Sequence, residues 1–120
     1  MNVLVMVKST HQAEKGHSDS PEFRQMLKEM GAFNDKLRAA GILQMAEGLG
    51  PSKNGKRIAF DGDRRSIIDG PFPHPEELVA GFWIWKVKDM DEAVGWVKRC
   101  PNPMTGPSVI EIRPYDTLSG

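Results

Sequence analysis

The sequence predicts an α+β fold: one antiparallel sheet with two helices laid on the same face. Three observations point there. Apolar, β-branched runs open and close the chain, helical periodicity occurs in two separated places, and turn residues cut the remainder into short strands.

In chain order, Val3, Val5 and Val7 alternate with Leu4, Met6 and Lys8, so residues 2 to 8 read as a central strand that is apolar on both faces. The polar stretch from Ser9 to Pro21 is short enough to be a connection. Ser20 caps a helix with Pro21 in its first turn, and Phe23, Met26, Leu27, Met30, Phe33, Leu37 and Ala40 recur at helical spacing until Gly41 stops it. Residues 43 to 49 form a second strand. RIAF and SII then flank the turn residues Asp61 to Arg65, where Asp-Gly signals a hairpin. From Leu78 to Lys88, Phe82, Ile84 and Lys86 alternate with Trp83, Trp85 and Val87 in a long strand. Asp89 followed by Glu92 is a capping-box pattern for a short helix carrying Ala93, Val94 and Val97, which Pro101 forbids from continuing. Ile110 and Ile112 belong to a closing strand that is expected to end at Pro114.

This order suits an elaborated ferredoxin-like sheet. Two helices cannot cover both faces of it, and several strands are apolar on each side. The bare face therefore requires a partner, and a second copy of the chain is the commonest solution. A homodimer is expected, with a pocket between the two sheet faces.

Composition narrows the function classes. A chain of 120 residues makes one domain, spanning residues 1–120, with a core that needs no metal or disulfide. Lys plus Arg total 16 and Asp plus Glu total 16, so no broad field draws the chain to nucleic acid or to a membrane surface. The lone cysteine, Cys100, cannot pair within the chain, which fits the cytoplasm. The opening MNVLVMVK is too short an apolar run for a signal peptide, and no later stretch approaches a membrane span. His11 and His17, with Glu14 and Asp19 nearby, match no compact zinc pattern. Gly48, Gly50 and Gly55 lack the strand-to-helix context of a phosphate cradle. Neither a metal nor a cofactor is expected.

The segments EGLGPS (47–52), GKRIAF (55–60), IDGPF (68–72), ELVAGFWIWKVKDMDEAVGWVKRCPNP (77–103) and IEIRP (110–114) occur in that order. Together they resemble the YCII-related domain family in its DGPF-motif branch, over nearly the whole chain. The resemblance implies a dimeric α+β barrel similar to muconolactone isomerase. Some YCII-like proteins look like proton-transfer or dehydrochlorinating enzymes built on a histidine and an aspartate. Here the histidine position falls near Phe33 or Asn34 and the aspartate position near Asn102, and neither residue type is present. The side chains of Phe and Asn do not titrate, so they cannot form a pair that exchanges a proton with a substrate.

Asp69 of the DGPF motif remains as the candidate acid or base, with a turn-forming role as the alternative. His74, following in Pro73-His74-Pro75, is a substitute base or a surface residue. Trp83 and Trp85, with Phe82, are candidate ligand-binding aromatics that are equally suited to a core or dimer interface, and Phe72 joins them from the motif. Arg65, beside Arg64, could clamp a carboxylate or simply be solvated at a hairpin tip. Lys8, Glu111 and Arg113 suit a cleft mouth or rim ion pairs. Cys100 next to Lys98 and Arg99 is either activated or a buried, inert thiol. Two functions follow. One is proton transfer, isomerisation or elimination on a small cyclic acid, with Asp69 as base. The other is a noncatalytic binding or accessory protein, which the family's company links to transcriptional regulation.

Overall fold

The computed structural model describes residues 1–16 and 19–117. Its strands are β1 (Asn2–Lys8), β2 (Leu43–Gly48), β3 (Lys56–Asp61), β4 (Arg64–Asp69), β5 (Val79–Lys86) and β6 (Ile110–Tyr115). Its helices are α1 (His11–Glu14), α2 (Pro21–Ala39) and α3 (Met90–Lys98). Four strands form an antiparallel sheet in the order β2-β5-β1-β6, which is ferredoxin-like, and β3 with β4 makes a separate hairpin inserted between β2 and β5.

Register decides the two faces of the sheet. Val3 lies opposite Trp85 and Val5 opposite Trp83, and all four are buried against Phe33 and Leu37 of α2 and Ala93 of α3. Both longer helices therefore cover one face, and the two tryptophans lie beneath them. Leu4 and Met6 lie opposite Ile84 and Phe82 on the other face, where no helix covers them and all four stay partly exposed.

Local chemistry sets the element ends. Ser20 Oγ accepts from Phe23 N at 3.1 Å, which satisfies one of the free N–H groups of α2. Gly41 adopts φ +75 just past the helix and lets Gly41 N reach Arg38 O at 3.0 Å and Ile42 N reach Leu37 O at 2.9 Å, a Schellman closure that packs Ile42 into the core. Asp89 caps α3 through Glu92 N at 2.9 Å, while Glu92 reaches back to Lys88 N at 2.7 Å, one residue before the cap.

Two expectations change. The polar connection after β1 contains α1, capped by Thr10 Oγ1 accepting from Ala13 N at 3.1 Å. The closing strand runs through Pro114 to Tyr115 because β6 is an edge strand, where a missing N–H costs no ladder bond. Among the described residues, no helix is long and apolar enough to cross a membrane.

Candidate functional site

Two places compete as the site: the DGPF corner and a cleft beneath α2. The corner is a latch. Gly70 lies against the 3-10 turn Ser52–Asn54 so closely that a Cβ there would sit 1.8 Å from Ser52 O, so only glycine fits. Gly70 N donates to Gly55 O at 3.0 Å, and Phe72 N donates to Ser52 Oγ at 2.9 Å. Ser52 N in turn donates to Glu14 Oε2 at 2.8 Å, and Ser52 Oγ donates to the other oxygen of the same carboxylate. The hairpin base, the turn and α1 are thereby tied through one serine.

The motif's other side chains serve the same corner. Asp69 ends β4 with its side chain 72% exposed and ion-paired to Lys56 across the hairpin, so no apolar cleft surrounds it. The half-buried Phe72 ring lies under the Arg57 guanidinium at 4.1 Å. Arg65 covers Phe60 at 4.5 Å and donates to Gly62 O and Arg64 O at 2.7 and 2.8 Å, which engages it with its own hairpin tip. His74 is exposed, with Nδ1 3.6 Å from Glu76 Oε1.

The cleft lies in the body, on the helix-covered side of the sheet rather than on its bare face, and has a volume of about 440 Å³. It exists because side-chain size falls along the sheet. Under the C-terminal half of α2 the floor is Trp83 and Trp85. Toward its N-terminal half the floor is Ala46, Gly48, Ala80 and Gly81, and those small residues leave Phe23, Met26 and Met30 only half-buried above them. Gly81 cannot be enlarged easily, since a Cβ would lie 3.1 Å from Glu47 O.

Trp83 stands at the step, and its Nε1 donates to Asn34 Oδ1 at 2.8 Å. Its ring makes an edge contact with Phe33 at 6.2 Å and a tilted one with Trp85 at 5.6 Å. Trp85 is wholly buried among core side chains and takes no part in the cleft wall. Met104 closes one end, with Thr10 Oγ1 3.7 Å from its sulfur. Its loop is braced by Asn102, which donates to Gly106 O at 2.9 Å and accepts from Met104 N at 2.9 Å and Ser108 Oγ at 2.7 Å. An aspartate could accept those two bonds but could not make the donation.

Among the described residues Glu47 is the one titratable residue along the cleft, and its register opposite Phe82 puts its side chain on the bare face of the sheet. Cys100 sits behind α2, with Sγ 4.0 Å from Met30 Sδ, and burial pushes its pKa up to about 12, so the thiol is inert at neutral pH. Glu111 and Arg113 pair at 3.3 Å on β6. Among the described residues no group of three His, Cys, Asp or Glu side chains could hold a metal; His17 lies outside those residues.

A family model described as the YCII-related domain matches residues 1–116. The chain belongs to the YCII-related domain family. An uncharacterized protein of Rhizobium meliloti (strain 1021), R00369, is 24% identical over 93 residues, 78% of this chain and 75% of its own length. In this YCII-related domain the resemblance puts the histidine near Phe33 or Asn34 and the aspartate near Asn102; of these, Asn34 lines the cleft, and Asn102 braces the loop that carries Met104. Sequence reasoning sets Asn34 aside because an amide does not titrate, and reads the methionines as core because Phe23, Met26, Leu27 and Met30 form an apolar stripe. The available signal was on the other side: Ala46, Gly48, Ala80 and Gly81 are too small to fill the space beneath that stripe.

Proposed function

We propose that this YCII-related domain binds a small, neutral, largely apolar molecule in the cleft beneath α2 and transfers no proton there. One observation carries the reading: among the described residues, the cleft is walled by thioether, aromatic and aliphatic side chains with a single amide, Asn34, and no titratable side chain is directed into it. General acid–base chemistry needs a group whose proton can leave near neutral pH, and neither an amide nor an indole is one. The volume lies in the range of small-molecule pockets, and methionines adapt their shape to a ligand at little cost. A proton-transfer role for Asp69 has less support, because that carboxylate is exposed, paired with Lys56 and outside the cleft.

The same reading places the chain in the DGPF branch, on its Ile68–Phe72 segment, and includes a second copy on the bare sheet face. Leu4, Met6, Phe82 and Ile84 form an apolar centre there, with Met45 46% exposed beside them. Around it Glu47, Lys86, Glu111 and Arg113 supply both signs of charge, which is self-complementary under a two-fold axis, and the zero net charge sets no long-range repulsion between copies. Light scattering at micromolar concentration tests the pair, and a stable monomer counts against it.

The ligand reading is tested by a thermal-shift screen of neutral lactones, phenols and ketones beside carboxylic acids. Wild type, Asp69→Asn and Met30→Trp, which fills the cleft, are compared. Neutral hits kept by Asp69→Asn and lost in Met30→Trp support the proposal. Hits confined to carboxylic acids and lost in Asp69→Asn contradict it.

A further inference from the structure

Resting on that reading of the cleft, we infer that its ligand carries a carbonyl-type hydrogen-bond acceptor, and that Asn34, oriented by Trp83, selects for it. The indole Nε1 of Trp83 is a donor and nothing else. Facing it at 2.8 Å, Asn34 must present Oδ1, which removes the usual freedom of an amide to turn end for end. The other end of the amide, Nδ2, carries two N–H groups, and among the described residues nothing in the chain accepts from them. Asn34, partly buried, lines the cleft between Met30 and Trp83, so the wall of this open, mostly apolar cleft offers donors.

Such a donor discriminates among ligands of equal size. A ketone, lactone or amide oxygen satisfies it, whereas a matched hydrocarbon leaves it dry and unpaired. A carboxylate is disfavoured despite its acceptor oxygens, because among the described residues no lysine, arginine or histidine lines the cleft to offset the charge it would bring out of water. The ring system of the ligand meets Phe23, Trp83 and the thioethers of Met26, Met30 and Met104, which suit a flat or alicyclic body of one or two rings. Trp83 is thus a positioning residue and Asn34 the one that touches the ligand.

The test is calorimetric titration with three probes of one shape: 1-tetralone, its hydrocarbon tetralin and the anion of 1-tetralincarboxylic acid. Wild type is expected to prefer the ketone over the hydrocarbon by roughly tenfold or more, in line with one hydrogen bond at a desolvated amide, and to bind the anion most weakly. Asn34→Leu should abolish the preference by weakening the ketone and sparing the hydrocarbon. Trp83→Phe, which keeps an aromatic wall but lets the amide turn, should reduce the preference while the fold, checked by circular dichroism, is unchanged. Equal binding of ketone and hydrocarbon to wild type, or a preference that survives Asn34→Leu, overturns the inference and leaves the cleft reading standing. Failure of every probe to bind wild type overturns both.

Discussion

The body and the hairpin use the same residue types to opposite effect. In the body, alternating apolar residues have a helix on one side, and Val3, Val5, Leu37 and Trp85 are fully buried. In the hairpin every residue of β3 and β4 is exposed, including Phe60 at 72% and Ile67 at 68%, and register stacks Ile58, Phe60 and Ile67 on one side. A two-stranded ribbon alone is marginal in water. This one is held at its base by the Ser52 latch and at its tip by Gly62, whose φ of +57 suits the first residue of a two-residue loop. Its reach shows in the radius of gyration, 16.2 Å, against about 14 Å for a compact chain of this length. Apolar pattern thus specifies a core only where another element lies within reach; elsewhere the same pattern leaves a surface for a second molecule.

The largest effect that sharpens this contrast is in the body. Trp85→Ala should cost about 3–5 kcal/mol of unfolding free energy, read as a fall in the denaturant midpoint, because it empties a fully buried site. A loss under about 1 kcal/mol would mean that the core is not where the stability lies. Next comes the latch. Ser52→Ala removes the hydroxyl shared by Phe72 and Glu14 and should cost about 1–3 kcal/mol. Hydrogen exchange should speed up across residues 56–69 while β1 and β5 keep their protection; equal acceleration everywhere would dissolve the distinction between the two regions.

A smaller effect comes from pH. Cys100 rises from 9.0 to about 12 on folding, so the folded state holds its proton longer than the unfolded one. Its contribution is therefore whole below pH 9 and is lost as pH climbs toward 12. Cys100→Ser should flatten that part of the stability curve, and alkylation of the wild-type thiol at pH 8 should be far slower than that of free cysteine. The smallest effect is on the hairpin. Phe60→Ser should change the stability of the isolated chain by no more than about 0.5 kcal/mol, because the ring is already in water.

Much of the body was legible in the sequence because local rules and packing agree there. Ser20, Gly41 and Asp89 end helices where their chemistry says they should, and period-two alternation marked β1 and β5. Which face the tryptophans take was not legible, since alternation gives sides but not the direction from which a helix arrives. Pro114 misled because its tolerance depends on β6 being an edge, a property of the whole sheet. The site was harder. Asp69 drew notice as a carboxylate in a motif, yet the motif's geometry is spent on a close approach at Gly70. The cleft arises from small residues on two strands lying under one end of a helix, a coincidence of register that no linear window contains. The role of Asn34 depends on an indole 49 positions away.

The most direct test of the cleft as the binding site is an NMR titration with 1-tetralone, following the Trp83 indole N–H and the Asn34 side-chain amide beside the backbone amides of residues 68–72. Movement of the Trp83 and Asn34 signals with the motif unmoved is the expected result. Shifts concentrated at Asp69 to Phe72, with Trp83 and Asn34 still, would contradict the account and return the site to the hairpin.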